Sequence, residues 1–307
     1  MSGVLVVDKP KGPTSHDVVA KLRRLLKTRQ VGHCGTLDPM ATGVLVVAFD
    51  EATKLVPYLT ADDKEYITTI ALGVETDSLD ADGAETRRVP ISDEVRAALS
   101  IANDSHDESV RTRAIAAEAA RTEQVPPAVS AIKIDGERAH ALARRGEAPD
   151  LPPRPVAVRG IELLGVEVEP VPLLRLRLDV AKGYYVRALA RDLAAALGTV
   201  AHLTALRRIR SGAFFADDMI SLDDAPGVVE ESTLSLEDAA KRALPACVLD
   251  EAGVRAAGFG QKIDLTSFRD APPAPSTPSA WFDEAGKLIA IGELTAEGYG
   301  RVLRGMR

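Results

Sequence analysis

The sequence predicts an α+β fold. Short apolar and β-branched runs recur along the chain, among them Val4 to Val7, Val44 to Phe49 and Tyr66 to Leu72. Segments of helical period stand between them. Leu174, Leu176, Leu178 and Val180 alternate with Arg175, Arg177, Asp179 and Ala181, the pattern of a strand with one buried and one wetter face. Beyond about residue 215 the character changes, and an acidic stretch leads into a segment rich in Pro, Ala and Ser.

Val4 to Val7 reads as the first strand. Ser15 is expected to cap a helix whose apolar positions Val18, Val19, Leu22, Leu25 and Leu26 follow helical spacing, leaving Lys21, Arg23, Arg24 and Lys27 largely on the other face. Val44 to Phe49 and Tyr66 to Leu72 read as strands, Ser92 to Leu99 and Val110 to Ala120 as helices, and polar Asn103 to Glu108 as a loop. Ala128 to Ile134 looks like a strand ending in an Asp135-Gly136 turn, followed by a short basic helix from Arg138 to Arg145. The alternating strand gives way near Tyr185 and Arg187 to an apolar-periodic helix, Leu189 to Leu197, closed by Gly198. His202 to Arg210 is a further strand, and Ser235 to Leu244 is helical. Thr266 to Ala280 reads as a linker with little capacity to pack. Trp281-Phe282, the Asp283 to Gly286 turn and Leu288 to Ile291 suggest a hairpin. No internal repeat is evident.

A chain of 307 residues suggests two domains, and 46% hydrophobic with 27% charged residues is ordinary for a soluble globular protein. No apolar run approaches a bilayer's width and no signal-peptide pattern precedes the first strand, so no membrane association and a cytoplasmic location are expected. The two cysteines, Cys34 and Cys247, lie far apart and make no metal-ligand pattern; Cys34 is expected to be a small buried residue beside the site, not a nucleophile, and Cys247 a core residue. The net charge of −7 excludes a uniformly basic protein but not local basic patches. Lys21, Arg23, Arg24, Lys27 and Arg29 form one cluster, Arg144-Arg145 another, and Arg207, Arg208 and Arg210 a third. Each reads alone as a solvated face; together they suggest a basic groove on an acidic body.

The most informative stretch is Gly32-His33-Cys34-Gly35-Thr36-Leu37-Asp38-Pro39-Met40-Ala41-Thr42-Gly43-Val44-Leu45. It sets a single carboxylate in a turn-rich loop just before a buried strand. Taken by itself, Asp38-Pro39 also reads as an ordinary turn. The pattern resembles the catalytic segment of TruB-type tRNA pseudouridine synthases. Gly3 to Gly12 resembles that family's opening strand and Lys-Pro turn, Asp63-Lys64-Glu65-Tyr66 its tyrosine segment, Asp77 to Gly83 its acidic stretch, and Lys182 to Arg187 its Lys-Gly-x-Tyr-Ile-Arg element. These matches fall in the family's order over roughly residues 3 to 210.

The resemblance implies a pseudouridine synthase fold with a mixed, mostly antiparallel sheet. It implies a catalytic domain over 1–240, a segment at 125–155 that grips RNA, and a small PUA-like β domain over 241–307. It further implies an enzyme that breaks the C1′–N1 bond of a uridine in the tRNA T loop, at position 55, turns the base and bonds C5 to the ribose. Asp38 is the catalytic residue by this resemblance, either adding covalently to the substrate or removing a ribose proton; the sequence leaves both routes open. Arg187 would partner that carboxylate, since a guanidinium stays charged and pairs bidentately. A cation near a helix N-terminus also wants a compensating anion. Tyr66 maps to a stacking tyrosine whose hydroxyl is a candidate base for the C5 proton. Tyr185 and Leu206 would wall the uracil pocket, and His33 would fill the space the extruded base leaves. Lys9 is expected to buttress the Lys-Pro turn, and Tyr184, where the family pattern has a smaller residue, to point away from the pocket. No cofactor, metal or guide RNA is expected, only a tRNA T-stem-loop, bound by a monomer. Rival readings are a guide-directed ribosomal RNA enzyme, a tRNA chaperone without catalysis, and a metabolic enzyme with a regulatory tail. Relatives of the first kind carry basic extensions not seen here, retention of Asp38, Tyr66 and Arg187 weighs against the second, and no cofactor motif supports the third.

Overall fold

The structure, a computed structural model, describes residues 2–60, 63–101, 109–130, 133–134, 137–138, 145, 151–224 and 226–306. Its chain divides into two compact units. One comprises Met1–Asp38, Gly43–Asp62 and Ser211–Arg307; the other comprises Pro39–Thr42 and Asp63–Arg210.

The first unit opens with β1 (Gly3–Lys9), antiparallel to β3 (Thr42–Phe49) with Val6 opposite Val46; β2 (Val31–His33) also pairs with β3. Val44 to Ala48 are fully buried, which is why this run lacks alternation: a strand covered on both faces needs no polar side. Between β1 and β2 runs α1 (Ser15–Leu25), burying Val18, Val19 and Leu22. Its cap is Thr14, not Ser15. Thr14 and Asp17 form a reciprocal capping box, while Ser15 is buried and its hydroxyl serves the loop that follows β2. Helix α2 (Val56–Leu59) follows β3.

The second unit is built on a sheet ordered β13–β4–β12–β11. Strand β4 (Lys64–Leu72) is followed by the hairpin β5 (Val74–Thr76) and β6 (Glu85–Arg88), then by α3 (Asp93–Ser100, capped by Ser92) and α4 (Val110–Ala119). Two-residue ribbons come next: β7 (Glu123–Gln124) pairs with β10 (Arg154–Pro155), and β8 (Lys133–Ile134) with β9 (Glu137–Arg138). Of the expected strand over Ala128–Ile134, Lys133–Ile134 is strand and Ala128 to Ser130 are bends after two prolines, while residues 131–132 lie outside the described residues. The basic helix expected from Arg138 is corrected at its first residue, which belongs to β9. The remainder of that helix before Arg145, the Asp135-Gly136 turn, the loop from Asn103 to Glu108 and about half of the 125–155 segment lie outside the described residues. Strands β11 (Val158–Glu167) and β12 (Leu173–Val180) are antiparallel, and β12 buries Leu174, Leu176, Leu178 and Val180 as its alternation requires. Helix α5 (Val186–Ala196) starts three residues earlier than its apolar period indicated, directly after Tyr185, and β13 (Ala201–Ser211) follows.

The chain then returns to the first unit through β14 (Phe214–Phe215), α6 (Pro226–Glu231) and α7 (Leu236–Ala243). A four-stranded sheet closes it, ordered β15 (Ala246–Val248), β16 (Ser279–Phe282), β17 (Leu288–Leu294) and β18 (Gly300–Gly305), with β15 parallel to β16 and the rest antiparallel. Helix α8 (Glu251–Gly258), capped by Asp250, connects β15 to β16 together with the 266–280 segment. That segment is not a bare linker: Phe268 packs edge-on against Trp281, with ring centroids 5.3 Å apart, and Ser279 and Ala280 already belong to β16. Trp281 lies over Gly292, where a Cβ would come within 2.1 Å of the indole, so only glycine admits the ring. Ala280, Phe282, Leu288 and Ile291 share a core with Val4, Val6, Val44 and Val46. Cys34 and Cys247 are both buried, as expected.

Candidate active site

Asp38 belongs to the first unit, on the loop between β2 and β3. Ser15, the first residue of α1, grips that loop: its Oγ accepts the Leu37 N–H at 2.8 Å and donates to the Leu37 carbonyl at 3.1 Å. Leu37, Met40 and Ala41 are buried on either side, and the Cys34 N–H donates to the Val46 carbonyl at 2.8 Å. Buried neighbours and a bidentate hydroxyl thus fix the backbone, while Asp38 itself is half-buried. A carboxylate on a loop so anchored is held in place yet reachable. His33 ends β2 and is half-buried, its ring edge-on to His16 at 5.3 Å between centroids. Lys9 is fully buried and its ammonium donates to the Pro10 carbonyl at 2.9 Å, which is the buttressing role expected of it.

Tyr66, Tyr185, Arg187 and Leu206 belong to the second unit. Tyr66 is a buried residue of β4, opposite Leu178 of β12. Leu206 is buried on β13, just after Ala205, whose carbonyl accepts the Thr68 hydroxyl of β4 at 2.9 Å. Tyr185 is the N-cap residue of α5 and Arg187 lies in its first turn. Arg187 is only 6% exposed, and α5 offers no acidic residue in its first turn to offset the cation. The compensation comes from the acidic loop after β5. The Arg187 Nη1 donates to the Ser78 carbonyl at 3.0 Å, and its Nε lies 3.8 Å from a carboxylate oxygen of buried Asp80.

That loop is tightly determined. Asp80 accepts from the Ser78 hydroxyl and from the Asp82 N–H at 3.1 Å, its carbonyl accepts the Thr76 hydroxyl at 2.7 Å, and Asp77 accepts the Ala84 N–H at 3.0 Å. Leu79 is held at φ +61°, a conformation a branched side chain adopts only under constraint. The Leu203 N–H of β13 donates to its carbonyl at 3.0 Å. At Gly83 a Cβ would fall 2.3 Å from the Ser78 hydroxyl, so the turn closes only with glycine. Sequence reading matched this loop to a motif but missed Asp80 as a partner of Arg187. A buried arginine at a helix start needs an anion, but nothing in the sequence says which of several acidic residues supplies it.

Tyr184, the residue before Tyr185, is tied to α4. Its hydroxyl donates to Glu118 of α4 at 2.7 Å, and both residues are buried. Burial pushes the Glu118 carboxyl above its ordinary range, against the opposing hydrogen bonds from Tyr184 and Arg121, and burial beside Glu118 pushes the Tyr184 hydroxyl upward as well.

The basic clusters are not equivalent. Arg208 is fully buried, and Arg210 is engaged by Glu65 and, at 2.7 Å, by Asp179. Arg145 is paired with Glu137 at 2.6 Å, and Arg144 lies outside the described residues. The Arg207–Arg210 cluster is therefore largely internal. On α1, Arg23 and Arg24 are exposed, as is Lys27 just past the helix end, and Lys21 is paired with Asp223 at 2.6 Å. Among the described residues no group of three or more His, Cys, Asp or Glu side chains could hold a metal ion, and no helix is long and apolar enough to cross a membrane.

A family model described as TruB family pseudouridylate synthase (N terminal domain) matches residues 23–186, and one described as tRNA pseudouridylate synthase B C-terminal domain matches residues 187–250. The chain is 44% identical over 295 residues to a tRNA pseudouridine synthase B of Corynebacterium aurimucosum, covering 94% of this chain and 91% of that one. It is 40% identical over 297 residues to the protein of that name from Streptomyces griseus, covering 95% and 93%. Among solved structures, a chain from the crystal structure of a Cbf5-Nop10-Gar1 complex superposes with a TM-score of 0.73 at 25% identity, covering 99% of this chain and 84% of that one.

Proposed function

The chain belongs to the TruB family of pseudouridylate synthases, and from that premise we propose that it isomerises uridine to pseudouridine in tRNA, at position 55 of the T loop. The observation that carries this reading is the Gly32–Leu45 segment, with Asp38 on a loop pinned to α1 through Ser15 and Leu37. The reaction cleaves C1′–N1, rotates the base and bonds C5 to C1′. The C5 proton leaves and N1 regains one, so atoms and charge balance without oxidant or hydrolysis.

Asp38 attacks the substrate or removes a ribose proton while the base departs; either task suits an ionised carboxylate. Tyr66 stacks on the uracil and its hydroxyl takes the C5 proton. Tyr185 and Leu206 line the base. Arg187, fixed by Asp80 and the Ser78 carbonyl, supplies a charge that no step neutralises. Extruding the uridine costs a few kcal/mol, and His33 takes the place it vacates in the T loop. Residues 1–240 carry this chemistry, with 125–155 gripping RNA, and 241–307 supply the tail domain. The fold is shared with a chain from a Cbf5-Nop10-Gar1 complex, but the higher identity over nearly full length is to tRNA enzymes, which favours a tRNA substrate in the cytoplasm and no guide RNA.

The test is incubation with an unmodified tRNA transcript, followed by mapping of pseudouridine at nucleotide resolution. A single modified uridine at position 55 is expected. Modification only at other positions, or none, contradicts the assignment.

A further inference from the structure

Gln124, the last residue of β7, is a buried polar side chain with 1% of its surface exposed. Its amide grips one residue twice. Oε1 accepts the Tyr185 N–H at 2.9 Å, and Nε2 donates to the Tyr185 carbonyl at 3.2 Å. That same carbonyl accepts the first hydrogen bonds of α5, from Ala188 at 3.1 Å and Leu189 at 3.2 Å. Tyr185 caps the helix without using its own side chain, so Gln124 supplies from outside the orientation a capping side chain would give.

The grip is reinforced on both sides. Tyr184, one residue earlier, is tied through its hydroxyl to Glu118 at 2.7 Å. Arg191, just over one turn beyond Arg187, donates from Nη2 to the Val125 carbonyl at 2.8 Å. Residues 118 to 125 therefore bracket Arg187 fore and aft. Gln124 is also the register partner of Arg154 in β10, so the bracket sits where the 125–155 segment leaves and rejoins the body.

We propose that Gln124 is a positioning residue for Tyr185 and Arg187, an inference that rests on the function proposed above. It sets the peptide from which the tyrosine ring and, two residues on, the guanidinium project. Its two hydrogen bonds fix both position and rotation of that peptide, and displacement of a reacting geometry by about 1 Å can cost on the order of 100-fold in rate.

Two variants separate positioning from mere structural support. Gln124→Met keeps the length and removes both hydrogen bonds. Its single-turnover rate on saturating tRNA should fall roughly 10- to 100-fold, with tRNA affinity within about twofold of wild type. Gln124→Glu can accept the Tyr185 N–H when ionised, but donates to the carbonyl only when protonated. Burial raises that carboxyl, so the ratio of variant to wild-type rate should climb as pH is lowered from about 8 towards about 6. A rate near wild type in both variants overturns the proposal. So does a loss in which rate, affinity and melting temperature fall together and the pH ratio stays flat. The wild type is run alongside. If it forms no pseudouridine in tRNA, the proposed function fails; if it is active while the Gln124 variants match it, only the positioning role fails.

Discussion

The corner around Arg187 and the sheet around Trp281 bury similar large side chains by opposite means. At the corner, Arg187, Asp80, Glu118 and Gln124 are buried polar or charged groups, each held by named partners, beside a branched residue in a left-handed conformation. In the tail, Trp281 meets Phe268, Cys247 and Ala290, and its indole N–H donates to the Ser279 hydroxyl at 2.9 Å. Two of the tail's ion pairs, Arg255–Glu251 and Arg269–Glu284, stay in solvent, where such pairs contribute little. Buried charge is costly and gives little net stability even when paired. Buried charge of this kind at the corner, against the largely apolar packing around Trp281, accords with the chemistry proposed for the corner.

This contrast predicts that substitutions in the two regions act on different measurements. Trp281→Ala should cost the most in stability, about 3–5 kcal/mol by loss of the buried indole. The fraction that remains folded in the cold should isomerise uridine at close to the wild-type rate. A severe loss of rate in folded protein would erase the distinction. Arg187→Lys should do the reverse. A point charge cannot reproduce the guanidinium's fork, so single-turnover rates should drop roughly 100- to 1000-fold, the scale of losing one preorganised donor. Denaturant unfolding should shift much less than for Trp281→Ala, and near-normal activity would remove Arg187 from the site. The smallest effect is expected from joint neutralisation of Lys21, Arg24 and Lys27. Affinity for tRNA should weaken evenly across tRNA sequences, and the slope of log affinity against log salt should become shallower by up to about one unit for each phosphate that is no longer neutralised. An unchanged slope would make that face of α1 ordinary solvated surface.

Much of this was legible because it is local. The alternation of β12 and the unbroken apolar run of β3 follow from which faces are buried, and each fits within a few residues. The cap of α1 was misplaced by one position because Thr14 and Ser15 are both competent; Asp17, three residues after Thr14, decides in favour of Thr14. Helix α8 was overlooked although Asp250 before Glu251 is a capping signal, since Gly253 and Gly258 lower its helical propensity. The Arg187–Asp80 pair and the Gln124–Tyr185 grip were out of reach for a different reason. They join residues distant in sequence, and nothing in the composition of either segment names its partner. Likewise, Arg208 read as surface cation until β13 turned it inward.

The account rests most heavily on Asp38. The direct measurement compares wild type with Asp38→Asn on one unmodified tRNA transcript, reading pseudouridine at position 55 and tRNA binding in parallel. Asparagine preserves shape while removing the charge and the nucleophile. The account predicts no detectable pseudouridine from the variant and binding within about twofold of wild type. Pseudouridine formed at a rate near wild type would contradict it.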